Sequence, residues 1–139
     1  MLTTEANKAI VRQWFDLWNQ HSLDALSDMV SSNYIHHTSR GADINFASFK
    51  LGFEMVLQTF PDIQYNIVHM IAEDEMVAAY LTAEGTQQGK FVGLKPTNKT
   101  AKFTGVYHCR IQDGRIVEDW DIFDLLSALL QVGAVIQPG

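Results

Sequence analysis

The sequence predicts an α+β fold. Three observations carry the prediction. Apolar residues recur at helical spacing from Ala6 to Phe60. The pattern then changes to the two-residue period of half-buried strands from Ile63 to Ile122. A short leucine-rich segment after Asp124 returns to helical spacing. Helices followed by a run of antiparallel strands form a sheet with helices packed on one face.

Thr3 or Thr4 can cap the first helix, with Glu5 favourable in its first turn. Ala6, Ile10, Trp14, Leu17 and Trp18 mark its apolar face, and Asn19-Gln20-His21 should end it. Ser22 suits a second cap, opening a short helix over Leu23–Val30. Tyr34-Ile35-His36-His37 reads as an extended piece, and Thr38 to Asn45 as a polar loop. Phe49, Phe53, Val56, Leu57 and Phe60 form the stripe of a third helix, stopped by Pro61-Asp62.

Ile63, Tyr65, Ile67 and His69 then alternate with Gln64, Asn66, Val68 and Met70, predicting a first strand. Met76 to Glu84 is a second, after a turn at Glu73-Asp74-Glu75, and residues around Gln87 to Val92 form a third. Gly93 to Lys99 reads as a loop. Lys102–Ile111 and Arg115–Ile122 form a hairpin. Asp124–Val132 is a final helix, with Gly133 suited to its C-terminal end.

The chain has 139 residues, which suggests one domain over its whole length. Hydrophobic residues make up 47% and charged residues 19%, enough for a real core. The net charge is −6 and the lysines and arginines are scattered, which argues against nucleic-acid and anionic-membrane partners. No apolar run approaches the ~20 residues of a membrane span. Met1 to Glu5 has no basic segment leading into an apolar one, so no signal peptide is expected. Cys109 is alone, which excludes an intrachain disulfide. Together these favour the cytoplasm.

The most informative segment is Asp119-Trp120-Asp121-Ile122-Phe123-Asp124, just after the Gln112-Asp113-Gly114 turn. Strand alternation places one or two of these carboxylates inside the sheet, where an apolar setting raises a carboxyl pKa and allows proton transfer near neutral pH. The competing reading is that all are solvated surface acids. Register decides between them. A two-residue Asp113-Gly114 loop puts Asp121 opposite Val106. A three-residue loop, which the Asp-Gly placement favours, puts Asp119 opposite Tyr107 and Asp121 opposite Gly105, with all four on one face. A bulge near Trp120 would change this answer.

Several segments together resemble the SnoaL-like polyketide cyclases, or ester cyclases, of the nuclear-transport-factor-2-like superfamily. They are Asn7 to Arg12 leading to Trp18-Asn19, Tyr34 to His37, Phe60-Pro61-Asp62, and Gly85-Thr86. Gly89 to Lys99 with Phe103-Thr104-Gly105 is the most specific, and Arg110-Ile111, Asp113 to Glu118, Trp120, Asp124 and Leu130 to Gly133 close the set. The resemblance implies a cone-shaped, curved antiparallel sheet wrapped over three N-terminal helices, enclosing a pocket, with a homodimer as the usual assembly. It implies an intramolecular aldol condensation without metal, cofactor or covalent intermediate.

Asp121 falls where the family's catalytic acid/base aspartate lies, Tyr107 near a pocket histidine of the cyclases, and His36 where they often have an asparagine. Asp121, His36 and Tyr107 are therefore the candidate catalytic residues: Asp121 to move the proton, the others to donate a hydrogen bond to the enolate oxygen. Trp18, His37, Gly52 and Phe53 are candidates for holding an apolar or aromatic small molecule. His108, Asp119 and Asp124 complete that set, with Asp119 or Asp124 also placed to raise the Asp121 pKa. Adjacent His36 and His37 point opposite ways on a strand, which argues against joint metal chelation. The alternative to an enzyme acting on a small carbonyl compound is a non-catalytic small-molecule-binding or adaptor dimer of the same fold.

Overall fold

The computed structural model describes residues 3–139; Met1 and Leu2, part of the segment read for a leader, lie outside the described residues. The element order is α1 (Thr4–Asn19), α2 (Leu23–Leu26), a 3-10 turn (Ser27–Met29), β1 (Val30–His37), β2 (Asp43–Ile44) and α3 (Phe46–Thr59). It continues with β3 (Gln64–Glu73), β4 (Met76–Thr86), β5 (Thr100–Gln112), β6 (Arg115–Phe123) and α4 (Leu125–Gln131). The six strands form one curved, unclosed sheet in the order β2-β1-β6-β5-β4-β3. It is mixed rather than wholly antiparallel, because β1 runs parallel to β6.

Capping follows the sequence chemistry. The Thr3 hydroxyl accepts from the Ala6 amide, and the Asn45 side chain accepts from the Ser48 amide. Val11, Trp14, Phe15 and Trp18 of α1 are buried together with Phe49 and Phe53 of α3 and the inner residues of β3–β6. The Asn19 side chain accepts from the Tyr65 amide at 2.7 Å and donates to the Tyr65 carbonyl at 2.8 Å. It thus acts as a strand partner for β3 and ties the end of α1 to Tyr65. Gln131 does the same for β5, bonding both the amide and the carbonyl of Lys102.

Four expectations need correction. The second helix stops at Leu26 and Val30 already belongs to β1, because the turn over Ser27–Met29 redirects the chain into the sheet. The polar loop before α3 contains a two-residue strand at Asp43–Ile44, paired with His36 and His37. The first long strand changes phase at a bulge between Ile67 and His69, so half-buried Met70 and Ala72 take over from Tyr65 and Ile67, while His69 is exposed. The segment Gln87–Val92 is not a strand. It hooks over the end of α3, where the Gln88 and Gly89 amides donate to the Thr59 carbonyl, and forms only a bridge from Phe91 to Leu94.

The Asp113-Gly114 turn takes the two-residue form. Gln112 pairs with Arg115 across a two-residue loop, and both turn residues have positive φ, 51° and 75°. That is the two-residue hairpin turn rather than the three-residue loop the sequence favours. A bulge then shifts β6 by one residue between the Ile111–Ile116 and Arg110–Glu118 pairs. Asp119 therefore pairs with Cys109 rather than Tyr107, and Asp121 with Tyr107 rather than Gly105. The two shifts together leave Asp119, Asp121, Tyr107 and Gly105 on the inner face.

Candidate active site

Two adjacent central strands and β1 build the site. Alternation along β6 sends Asp119 and Asp121 inward; alternation along β1 sends Tyr34 and His36 inward. Parallel pairing sets His36 beside Asp119.

Asp119 is completely buried and accepts from three side chains. The Tyr34 hydroxyl donates to its two oxygens at 2.9 and 3.0 Å, and the Tyr107 hydroxyl donates to Oδ2 at 2.9 Å. His36 Nδ1 lies 2.7 Å from Oδ1. The other ring nitrogen, Nε2, lies 3.8 Å from Asp121 Oδ1. The imidazole thus spans two carboxylates of one strand.

Their environments differ. The Asp121 side chain keeps 20% exposure, against 0% for Asp119, so Asp121 is the carboxylate with access from outside the core. Burial pushes the Asp121 carboxyl up to about 6; the His36 charge opposes this and the Asp119 charge adds to it. For His36, burial alone would lower the imidazole pKa. The bond to Asp119 and the charges of Asp119 and Asp121 outweigh burial and raise it. The Tyr34 and Tyr107 phenols are held well above their ordinary range, first by burial and then by the Asp119 charge, so they remain neutral donors.

The sequence candidates separate into two groups. Asp121, His36, Tyr107, Asp119, Trp18 and Phe53 share the interior: Trp18 is 4.9 Å from Phe53 between ring centroids, edge to face, and 6.3 Å from Tyr107. Tyr107 has no exposure and its hydroxyl is committed to Asp119, so it contacts Asp119 and not the accessible side of the site.

The remaining candidates lie elsewhere. His37 faces the outer side of the sheet, between Asp43 at 2.7 Å and Glu118 at 3.0 Å, stacked on Trp120 at 4.6 Å. His108 lies on that same outer side, 4.6 Å from Trp120, because strand alternation separates it from Tyr107. Arg110 is there too, bonded to Glu118. Asp124 caps α4, accepting from the Ser127 amide, and Gly52 is on the exposed side of α3.

Two further residues, Tyr34 and Tyr65, belong to this interior. Tyr34 precedes His36 by two positions, and on a strand that spacing places both on one face. Tyr65 is buried against Trp18 at 4.9 Å and Phe123 at 5.8 Å, and burial with the Asp121 charge raises its phenol pKa. Its inward alternation with Ile63 was the available signal.

Among the described residues, no group of three or more histidine, cysteine or acidic side chains is arranged to hold a metal ion. Nor is any helix long and apolar enough to cross a membrane.

Known proteins share this architecture. AclR of Streptomyces galilaeus, a proposed hydroxylase, superposes with a TM-score of 0.89 at 26% identity, covering 99% of this chain and 87% of that one. IdmH of Streptomyces antibioticus, a proposed polyketide cyclase, gives 0.84 at 23% identity, with 92% and 99% coverage. A SnoaL-like protein of Jannaschia sp. CCS1 gives 0.85 at 17% identity, with 96% and 95% coverage. No curated protein matches the sequence. Residues 8–132 match the profile described as SnoaL-like polyketide cyclase, which spans most of the sequence, and the chain belongs to that family.

Proposed function

We propose that the protein is a cofactor-independent acid/base enzyme acting on a small carbonyl compound, in the manner of an aldol cyclase. The observation that carries this reading is Asp121: a partly accessible carboxyl with a pKa near 6, whose neighbour is the Nε2 edge of His36. Above that pKa the carboxylate takes a proton from a carbon flanked by carbonyls, leaving an enolate. His36 Nε2–H donates to the enolate oxygen. The enolate carbon then bonds to a second carbonyl carbon of the same molecule. The electron pair of that C=O bond moves to its oxygen, which takes the proton back from Asp121, so the carboxylate is regenerated. General-base help of this kind is typically worth roughly 10²–10⁴ in rate. Phe53 and Trp18 are the proposed apolar contacts for a flat ring system.

The test is deuterium uptake at the activated carbon of a panel of aromatic β-keto esters, followed by NMR, with Asp121→Asn as control. Exchange catalysed by the wild type and lost in the variant supports the reading. Equal exchange by both sinks it. Binding without exchange favours the non-catalytic binder instead.

We also propose a homodimer formed through the outer sheet face. Tyr80, Val106 and Ile122 pair directly across β4, β5 and β6 and are 38%, 46% and 66% exposed, giving a continuous apolar row. A row of this kind is suited to burial against a second copy. Light scattering on the wild type and on Val106→Lys would test it, with a monomeric wild type excluding the dimer.

A further inference from the structure

We infer that Asp119 is a positioning residue, which fixes His36 with a proton on Nδ1 and Nε2 turned toward Asp121, and which Tyr34 and Tyr107 hold in place. The inference rests on the acid/base reading of Asp121 and assigns what prepares its partner. Asp119 has no exposure, so it cannot touch a substrate. Its oxygens accept from two phenols and face His36 Nδ1 at 2.7 Å. A carboxylate only accepts, so the ring nitrogen facing it carries the hydrogen. Neutral His36 then presents a bare Nε2 to the Asp121 side, and protonated His36 presents a second N–H there.

The two phenols do more than satisfy a buried charge. They approach the carboxylate from β1 and β5, while His36 approaches from β1 along the pairing with β6. The Asp119 carboxyl is therefore held from two neighbouring strands and cannot rotate away from the imidazole. Among the described residues, every ionisable group facing His36 belongs to this arrangement. Asp119 and Asp121 come from β6, Tyr34 from β1, and Tyr107 and Cys109 stand behind Asp119 on β5. The α3 neighbour, Phe49 at 5.3 Å, carries no charge.

The arrangement is tested on the ligand-free protein by ¹⁵N-histidine NMR, which reports both the tautomer and the titration of His36. Above its titration the wild-type ring is expected to carry hydrogen on Nδ1. In Asp119→Asn the burial stays and the charge goes, so the His36 titration should move down and the tautomer should no longer be fixed. In Tyr107→Phe the carboxylate loses one donor and pulls harder on the ring, so the titration should move up with the tautomer retained. Opposite shifts from two variants are not expected of a merely structural role, and Tyr107→Phe carries the test should Asp119→Asn fail to fold.

With an accepted substrate, Asp119→Asn should lower kcat by on the order of 10–100-fold or more with little change in KM, the lower figure being the scale for carboxylates that orient metal-bound histidines. A wild-type ring with hydrogen on Nε2, or titrations unmoved in both variants, overturns the inference. Full activity in Asp121→Asn with Nδ1–H retained on His36 overturns the acid/base reading but supports the pinning of His36.

Discussion

Asp119 and Asp121 stand two residues apart on the same face of β6, yet only Asp119 has its negative charge matched by donors. Asp119 receives two phenols and an imidazole, while Asp121 has only the distant Nε2 of His36, 3.8 Å away. The same strand therefore carries one carboxylate met by three side-chain donors and one that burial disfavours as an anion.

That contrast predicts opposite responses of stability to substitution. The folded-state pKa of Asp121, about 6, is raised above the ordinary carboxyl value of 3.8. Its ionisation therefore costs stability as pH rises through the folded value. Asp121→Asn should match the wild type below pH 3.8 and exceed it above pH 6, by on the order of 3 kcal/mol. Asp119→Asn should instead destabilise at neutral pH by about 2–4 kcal/mol, because three donors lose their anionic partner. Urea denaturation at pH 4 and pH 8 measures both.

A second consequence concerns the dependence of rate on pH. The proposed base is competent only when ionised, so kcat/KM for an accepted substrate should rise through an apparent pKa near 6. On the alkaline side it should fall as His36 loses the proton that donates from Nε2, above the ordinary histidine range. The two limbs belong to the coupled pair rather than to either residue alone. His36→Gln should remove the alkaline limb and move the rise upward, because the imidazole charge no longer favours the Asp121 carboxylate. A profile flat from pH 5 to 8 would exclude Asp121 as the base.

Much of this was legible in the sequence. The helix stripes and strand alternation gave the architecture, and inward alternation along β6 put both aspartates on the correct face. The roles within the site were not legible, because they depend on neighbours distant in sequence. Nothing near Asp119 announces that Tyr34, 85 residues away, will donate to it. The register itself came from two one-residue shifts in the same direction, a tighter turn and a bulge on β6, which together keep the aspartates on their face and neither of which leaves a periodic signal. His37 and His108 were drawn toward the site by adjacency to His36 and Tyr107, which on a strand means the opposite face. The loop after β4 misled for a different reason: Phe91 packs on Phe60 at the end of α3, so it is buried without being in a sheet.

That loop has its own fixed point. Gln87 is completely buried, and its amide nitrogen donates to the carbonyls of Gly89, Leu94 and Lys95 at 3.1–3.2 Å. Its oxygen accepts from the Thr97 hydroxyl at 2.7 Å. One side chain thus organises the backbone from Gly89 to Thr97. Gln87→Leu has a similar volume but removes the side-chain donor to the three carbonyls, leaving Leu94 only its bond from the Phe91 amide, and should cost about 2–3 kcal/mol. Hydrogen exchange should rise at the Phe91 and Leu94 amides, which bond each other's carbonyls, before it rises in β5. Unchanged protection at those two amides would mean that the loop is held by its backbone alone.

Gly89 provides the sharpest steric test of how the same loop sits on α3. A Cβ there would come within 2.0 Å of the Gln58 carbonyl oxygen and 3.1 Å of the Thr59 Cα, both backbone atoms that no rotamer change can move. The Gln88 and Gly89 amides meanwhile donate to the Thr59 carbonyl at 2.9 and 3.2 Å, so relieving the clash means breaking these bonds. Gly89→Ala should therefore lose about 2–4 kcal/mol, the overpacking cost together with at least one backbone hydrogen bond. Gly52→Ala is the matched control, since a Cβ at that position on α3 meets nothing within 4 Å. It should be neutral or stabilising by up to about 1 kcal/mol through helix propensity. Thermal denaturation of the two variants side by side measures the difference, and equal melting temperatures would place the loop away from the end of α3.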